Sequence, residues 1–201
     1  MTRDSGYTAR LVRTQCAPWK RILGVQLPYR WNLRRLHLGF TLDVGCGLGR
    51  NLAHLDGNGV GIDHNHHSVD FCRSAGFLAF TPEEFRRSQY HRSNAFDSLL
   101  LAHVAEHMAH ADFVCLLREY VPVLRPDGRV VVITPQEAGF RSDPTHVHFL
   151  DLDGIRAAVE EVGFTPVREY SFPFPRVAGH LFAYNEFVSV SRRMRVERSG
   201  K

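Results

Sequence analysis

The chain has 201 residues, 44% of them hydrophobic, with 25 Lys and Arg set against 21 Asp and Glu for a net charge of +4. That is enough chain for one domain with its own core. No apolar run reaches the roughly 20 residues that span a bilayer, and the N-terminal residues lack the apolar stretch of a signal peptide. Cys16, Cys46, Cys72 and Cys115 are scattered without a C-x-x-C pair, which fits reduced thiols in a cytoplasmic protein better than a disulfide framework.

In chain order, residues 1–6 read as loose and 7–23 as a helix lying over the site. Segment 28–38 is aromatic and basic. It reads as a helix on the sheet edge, or as a lid touching substrate. The short apolar run 40–44 reads as a buried parallel strand. It ends in Gly45-Cys46-Gly47, with Asp43 at its carboxyl end, where open α/β sheets bind ligands. A short helix is expected at 48–55, turn chemistry at 56–59, and a second strand at 60–63. Asp63 lies 63 − 43 = 20 residues after Asp43, an offset at which an acidic residue accepts ribose hydroxyls. As an alternative, it caps the next helix.

His64, His66 and His67 open that helix as a solvated start rather than a metal tract, and Gly76 stops it. Strand three is expected at 77–80. Thr81, Pro82 and Glu84 then spell a capping box. Strand four is expected at 96–101, a helix at 111–124, a turn at Pro126-Asp127-Gly128 and strand five at 129–134. A polar loop is expected at 135–145. Asp151 or Asp153 should cap a helix through Val162. Strands at 164–172 and 182–191 flank a loop at 173–180. Strands alternating with helices imply a mostly parallel sheet with helices on both faces. Arg192, Arg193, Arg195, Arg198 and Lys201 make a basic tail, read as solvated, with nucleic-acid contact the lesser reading.

The stretch D-V-G-C-G-L-G-R (43–50) departs from the dinucleotide fingerprint: position 50 is arginine and the third glycine falls at 49. It resembles motif I of the class I S-adenosylmethionine-dependent methyltransferases. The L-R-P-D-G before strand five also recurs in that family. The resemblance covers roughly 36–192. It implies one Rossmann-like domain with a seven-stranded sheet whose last strand is antiparallel, an N-terminal helical or lid segment (1–40), a core (41–192) and the basic tail (193–201). It further implies that Gly45, Cys46 and Gly47 back the methionine part of the donor, that Asp43 holds its ammonium, directly or through water, and that Asp63 takes the ribose. Arg50, Asn51, His64 and Ala102 complete the expected donor site. Where many members carry an acidic residue against adenine, this chain has Thr81, so adenine recognition should rest on backbone groups or a hydroxyl.

After strand four, His103, Glu106 and His107 stand at i, i+3 and i+4, on one face if the segment is helical. The H-x-x-E-H spelling is also that of an inverted zinc peptidase, but a nucleotide-binding turn beside it argues against that. His146 and His148 follow strand five and should reach the same mouth. The pattern resembles the metal site of small-RNA 3′-terminal 2′-O-methyltransferases, which hold a divalent ion with two glutamates and two histidines. His103, Glu106, His107 and His146 match those places, with His103 standing where that family has glutamate. Mg²⁺ or Mn²⁺ is the implied ion, and imidazole favours Mn²⁺, iron or zinc. Without an ion, His146 or His148 would serve as general base, with Asp143 beside them.

The activity expected is O-methylation of a hydroxylated small molecule, a sugar or short glycoside, by a monomer or homodimer. The alternatives are ribose methylation at an RNA end and a non-catalytic donor-binding regulator.

Overall fold

The computed structural model describes residues 26–194, so segment 7–23, Cys16 and the basic residues after Met194 lie outside the described residues. Seven strands form one sheet: β1 (Thr41–Val44), β2 (Gly59–Ile62), β3 (Ala79–Phe80), β4 (Phe96–Ala102), β5 (Leu124–Pro135), β6 (Phe164–Phe172) and β7 (Glu186–Arg193). Their order is β3-β2-β1-β4-β5-β7-β6. The first five strands are parallel, and β7 inserts antiparallel between β5 and β6, as the resemblance implied. Every residue of β1 and β2 is buried, which is why these strands read as continuous apolar runs rather than alternating ones.

The helices are α1 (Leu27–Arg34), α2 (Arg50–His54), α3 (His66–Ser74), α4 (Pro82–Arg87), α5 (His110–Tyr120), α6 (Glu137–Ser142) and α7 (Leu152–Glu160). Successive side chains of a strand point to opposite faces. Leu99, Leu101, Val130 and Val132 accordingly meet Phe85, Phe113, Leu117 and Ile155 of α4, α5 and α7 on one face. Leu100, Val131 and Ile133 meet Leu33, Leu36 and Leu38 on the other. The α1 segment therefore packs on a face of the sheet and not at its edge. Among the described residues, no helix is long and apolar enough to cross a membrane.

Several boundaries differ from expectation for identifiable reasons. The helix expected through Leu124 ends at Tyr120, because Pro122 has no N–H to donate, and a 3-10 turn at Val121–Val123 replaces its last turn. Pro126-Asp127-Gly128 is no free turn: it lies inside β5, where pairing with β4 jumps from Phe96↔Leu124 to Ser98↔Arg129 and leaves Arg125, Pro126 and Asp127 exposed. The polar loop after β5 contains α6. The last strand begins at Glu186, since Phe182 packs between Phe174 and Tyr184 at the surface instead of entering the sheet.

The caps are as read. Thr81 Oγ1 accepts from Glu84 N (3.3 Å), and Glu84 Oε2 accepts from Thr81 N (2.8 Å). Of the two candidate aspartates, Asp151 caps α7 by accepting from Gly154 N at 3.0 Å. Because this box occupies Thr81, Thr81→Ala should cost about 1 kcal/mol of stability in a urea titration and leave donor affinity unchanged.

Candidate active site

Strand order reverses between β1 and β4, and a crevice opens at that point beyond the carboxyl ends of the strands. Here it is a cleft of about 330 Å³. Gly45, Cys46, Gly47, Arg50 and Asn51 line one wall, and Ala102, His103, His107 and His146 the other.

The first wall is the glycine turn. Gly45 N and Cys46 N both donate to Ile62 O, at 2.8 and 3.0 Å, so the chain folds back on β2 as it leaves β1. Gly45 has φ +77° and its missing Cβ would lie 2.4 Å from Val104 Cγ2, whereas a Cβ on Gly47 (φ +52°) would face open space. The turn is thus pressed against the segment after β4 at one glycine and bare toward the cleft at the other. Gly45→Ala should cost roughly 1–3 kcal/mol from backbone strain and the Val104 clash, measurable as a lowered Tm.

Two aspartates stand one layer behind this wall. Asp43 is fully buried; its Oδ1 accepts from Asn51 Nδ2 at 3.3 Å, and its Oδ2 has no hydrogen-bond partner. Burial raises its carboxyl to a pKa of about 7, against the smaller opposing pulls of Asn51 and Arg50. Asp63 accepts from Gly47 N through Oδ2 (2.8 Å) and from Asn65 N through Oδ1 (2.9 Å), tying the tip of β2 to the turn. Thr81 and His64 do not line the cleft. His64 borders a neighbouring hollow of about 410 Å³ with His67, Pro82 and Glu83.

The second wall carries the histidines. After β4 the expected helical face is a 3-10 turn, Ala105–His107. The loop after α6 is pinned to it, with Val147 N and His148 N both donating to Glu106 O at 2.8 and 3.2 Å. This brings ligand atoms of Glu106, His107 and His146 within 4.8 Å of one another. Both imidazoles are set the same way. His107 Nδ1 faces Thr145 O at 3.2 Å and His146 Nδ1 faces Phe140 O at 2.9 Å. A carbonyl only accepts, so each Nδ1 carries the proton and each Nε2 keeps its lone pair. Asp143 Oδ1 accepts from Thr145 N and Oγ1, at 2.9 and 2.8 Å, and so holds the carbonyl that orients His107.

Glu106 has zero solvent exposure and neither carboxylate oxygen has a hydrogen bond. His103 stands outside the converging group: its Nε2 lies 2.8 Å from Glu186 Oε1, and its Nδ1 lies 3.2 Å from Glu106 Oε1 without hydrogen-bond alignment. Burial pushes the His103 pKa down, but the two carboxylates outweigh it and raise it to about 9. His148 is held by its backbone and is not among the residues lining the cleft.

Sequence reasoning missed Glu186 and Tyr184, which also line the cleft, as does Tyr29 of the segment read as a helix on the sheet edge or a lid. Tyr29 Oη on α1 donates to Tyr184 O at 2.7 Å, joining α1 to the loop before β7. The available signal for Glu186 was a lone acidic residue opening an apolar strand.

With this geometry in hand, the relationships of the chain are clear. Residues 42–132 match the methyltransferase domain family. A search of curated protein sequences finds no match. Among solved structures, a SAM-dependent methyltransferase from Archaeoglobus fulgidus superposes with a TM-score of 0.66 at 17% identity, over 82% of this chain and 93% of that one. Magnesium protoporphyrin IX methyltransferase from Synechocystis PCC 6803, with bound SAH, gives 0.61 at 13% identity over 92% and 98%. A methyltransferase in complex with the Haloferax volcanii Trm112 activator gives 0.62 at 14% identity over 85% and 90%. Residues 42–132 thus carry a methyltransferase domain. The fold around it is the Rossmann-like one of the S-adenosylmethionine-dependent methyltransferases.

Proposed function

We propose that the protein methylates a hydroxyl oxygen of a small acceptor, a saccharide or short glycoside, with a divalent ion held by Glu106, His107 and His146. The observation that carries this reading is the Glu106 carboxylate: fully buried, without a hydrogen bond on either oxygen, and facing two imidazoles whose lone pairs are set by backbone carbonyls. A buried carboxylate without a hydrogen bond is costly; His103 Nδ1 lies 3.2 Å from one of its oxygens, and a cation among the converging ligands would satisfy it further. When bound, the ion supplies Lewis acidity that lowers the pKa of a hydroxyl and orients it. Two imidazoles and one carboxylate suit Mn²⁺, iron or zinc better than Mg²⁺. Three protein ligands leave room for a pair of acceptor oxygens, which favours a vicinal diol.

The donor side fits the same reading. Gly47 leaves the wall bare where the methionine part would lie. The unpartnered Asp43 Oδ2 offers its charge to the donor ammonium through a bridging water, since Asp43 itself has no surface. The Asp63 oxygens have each taken one N–H, and a carboxylate has lone pairs left for ribose hydroxyls. Methyl transfer is an in-line displacement at carbon, so catalysis rests on positioning acceptor oxygen and sulfonium together. In the absence of an ion, Nε2 of His146 is the lone pair placed to take the acceptor's proton.

The test is purified protein with labelled S-adenosylmethionine, a panel of mono- and disaccharides, and Mn²⁺ or a chelator. Label on a saccharide only when Mn²⁺ is present supports the reading. Chelator-insensitive transfer moves it to the His146 base. Preferential labelling of an RNA end, weakening steeply with salt, moves it to ribose. Donor binding with no turnover on any acceptor makes the protein a regulator.

A further inference from the structure

His103 occupies an unusual position. It follows β4 directly with φ +60°, its N–H held by Ile133 O at 2.9 Å. That backbone turn aims the ring between two carboxylates that are far apart in sequence. Nε2 is 2.8 Å from Glu186 Oε1 and Nδ1 is 3.2 Å from Glu106 Oε1. With a carboxylate oxygen near each nitrogen, the ring bridges the two acidic side chains. It stands beside the Glu106, His107 and His146 group and is no member of it.

The far end of this bridge is firmly built. Glu186 is the first residue of β7, paired with Pro135 on one side and Phe172 on the other. Its carbonyl accepts from Gln136 Nε2 at 3.1 Å. Gln136 is itself fully buried and bonded to Ser171 and Asn185. The Glu186 side chain is 9% exposed. The near end is different, because the Glu106 carboxylate has no hydrogen bond of its own to fix its rotation.

We propose that Glu186 is a positioning residue for the Glu106 ligand, acting through His103. The carboxylate that the pinned backbone of β7 presents holds the ring, and the ring holds the carboxylate that faces His107 and His146. Metal-ligating groups depend on such outer partners for orientation, and their loss typically weakens metal affinity by about 10–100-fold. This inference rests on the metal reading above and extends it to the antiparallel strand, 83 residues away from His103 in sequence.

The experiment is a Mn²⁺ titration of the full chain, read by the loss of free-ion signal in electron paramagnetic resonance. It uses wild type, Glu186→Gln, His103→Ala and the double variant. Thermal unfolding of the ion-free proteins and S-adenosylhomocysteine affinity are measured alongside. Expected is a loss of Mn²⁺ affinity of at least about tenfold in each single variant, with the double variant no weaker than His103→Ala, because Glu186 acts only through that ring. Unfolding and S-adenosylhomocysteine affinity stay near wild type for Glu186→Gln. If Glu186→Gln is too unstable to titrate, His103→Ala alone carries the test, since unchanged Mn²⁺ affinity there removes the bridge.

Equal Mn²⁺ affinity in wild type and Glu186→Gln overturns the proposal and leaves the metal reading intact. Additive losses in the double variant overturn it as well, by showing that Glu186 acts by another route. No Mn²⁺ binding by wild type overturns the metal reading, and the positioning role goes with it.

Discussion

Glu106→Gln should lower methyl transfer to the best acceptor about a thousandfold, and a chelator should do the same to wild type, while donor affinity stays unchanged. The substitution keeps the shape of the side chain and removes the charge that the cluster presents. Lewis-acid assistance at a hydroxyl is worth several kcal/mol, and about 4 kcal/mol corresponds to that factor. The variant and the chelator should not compound, because both remove the same interaction. The measurement is single-turnover label transfer with Mn²⁺ added or withdrawn, beside calorimetric S-adenosylhomocysteine binding. Full turnover in chelated wild type would refute the metal reading and leave the His146 base. Weakened donor binding in Glu106→Gln would mean that the two walls of the cleft are not independent.

The second large effect concerns Asp43, where stability and binding should pull in opposite directions. The buried carboxyl has its pKa raised to about 7, well above the ordinary value for an unfolded chain. Between these two values the folded protein holds a proton that the unfolded chain has released. Stability of the donor-free protein therefore falls as pH rises from about 4 to 7, and the full penalty is present above 7. Asp43→Asn removes the ionisable group and keeps an acceptor for Asn51. It should stabilise the donor-free protein at neutral pH by roughly 1–3 kcal/mol, against a ceiling of ~4 for a shift of this size.

Donor binding should respond the other way. A cation brought near Asp43 favours the carboxylate and draws its pKa down. S-adenosylmethionine affinity should then fall by up to about tenfold per pH unit below 7. Binding near neutrality should release a proton, detectable as a dependence of the calorimetric heat on buffer ionisation enthalpy. Asp43→Asn should abolish that pH dependence and weaken the donor by roughly 10–100-fold, the worth of a hydrogen bond to a charged group. A flat pH profile in wild type would remove Asp43 from the donor site.

Much of the site was legible because its signals are local. The glycine turn is written in consecutive residues, since positive φ and close approach are demands on single positions. The capping box at Thr81 and the cap at Asp151 are equally short-range. His103, Glu106, His107 and His146 were found as candidates by residue type, but spacing misjudged how they are used. A 3-10 turn, not an α-helix, carries Glu106 and His107, while His103 precedes it with positive φ and its ring lies between Glu186 and Glu106. Thr81 was read beside adenine, with recognition resting on backbone groups or a hydroxyl; its hydroxyl oxygen accepts from Glu84 N.

The amino-acid sequence by itself determined the methyltransferase resemblance, the alternation of strands and helices, and the glycine turn, because each depends on periodicity or on the chemistry of neighbouring residues. Tertiary structure alone decided which side of the sheet α1 covers, which histidines converge, and that Glu186 of β7 meets His103 beside them. Those outcomes depend on strand order and on the antiparallel insertion of β7, which bring together residues separated by dozens of positions. No local pattern encodes such a meeting, since it follows from how buried surfaces stack once the whole sheet has formed.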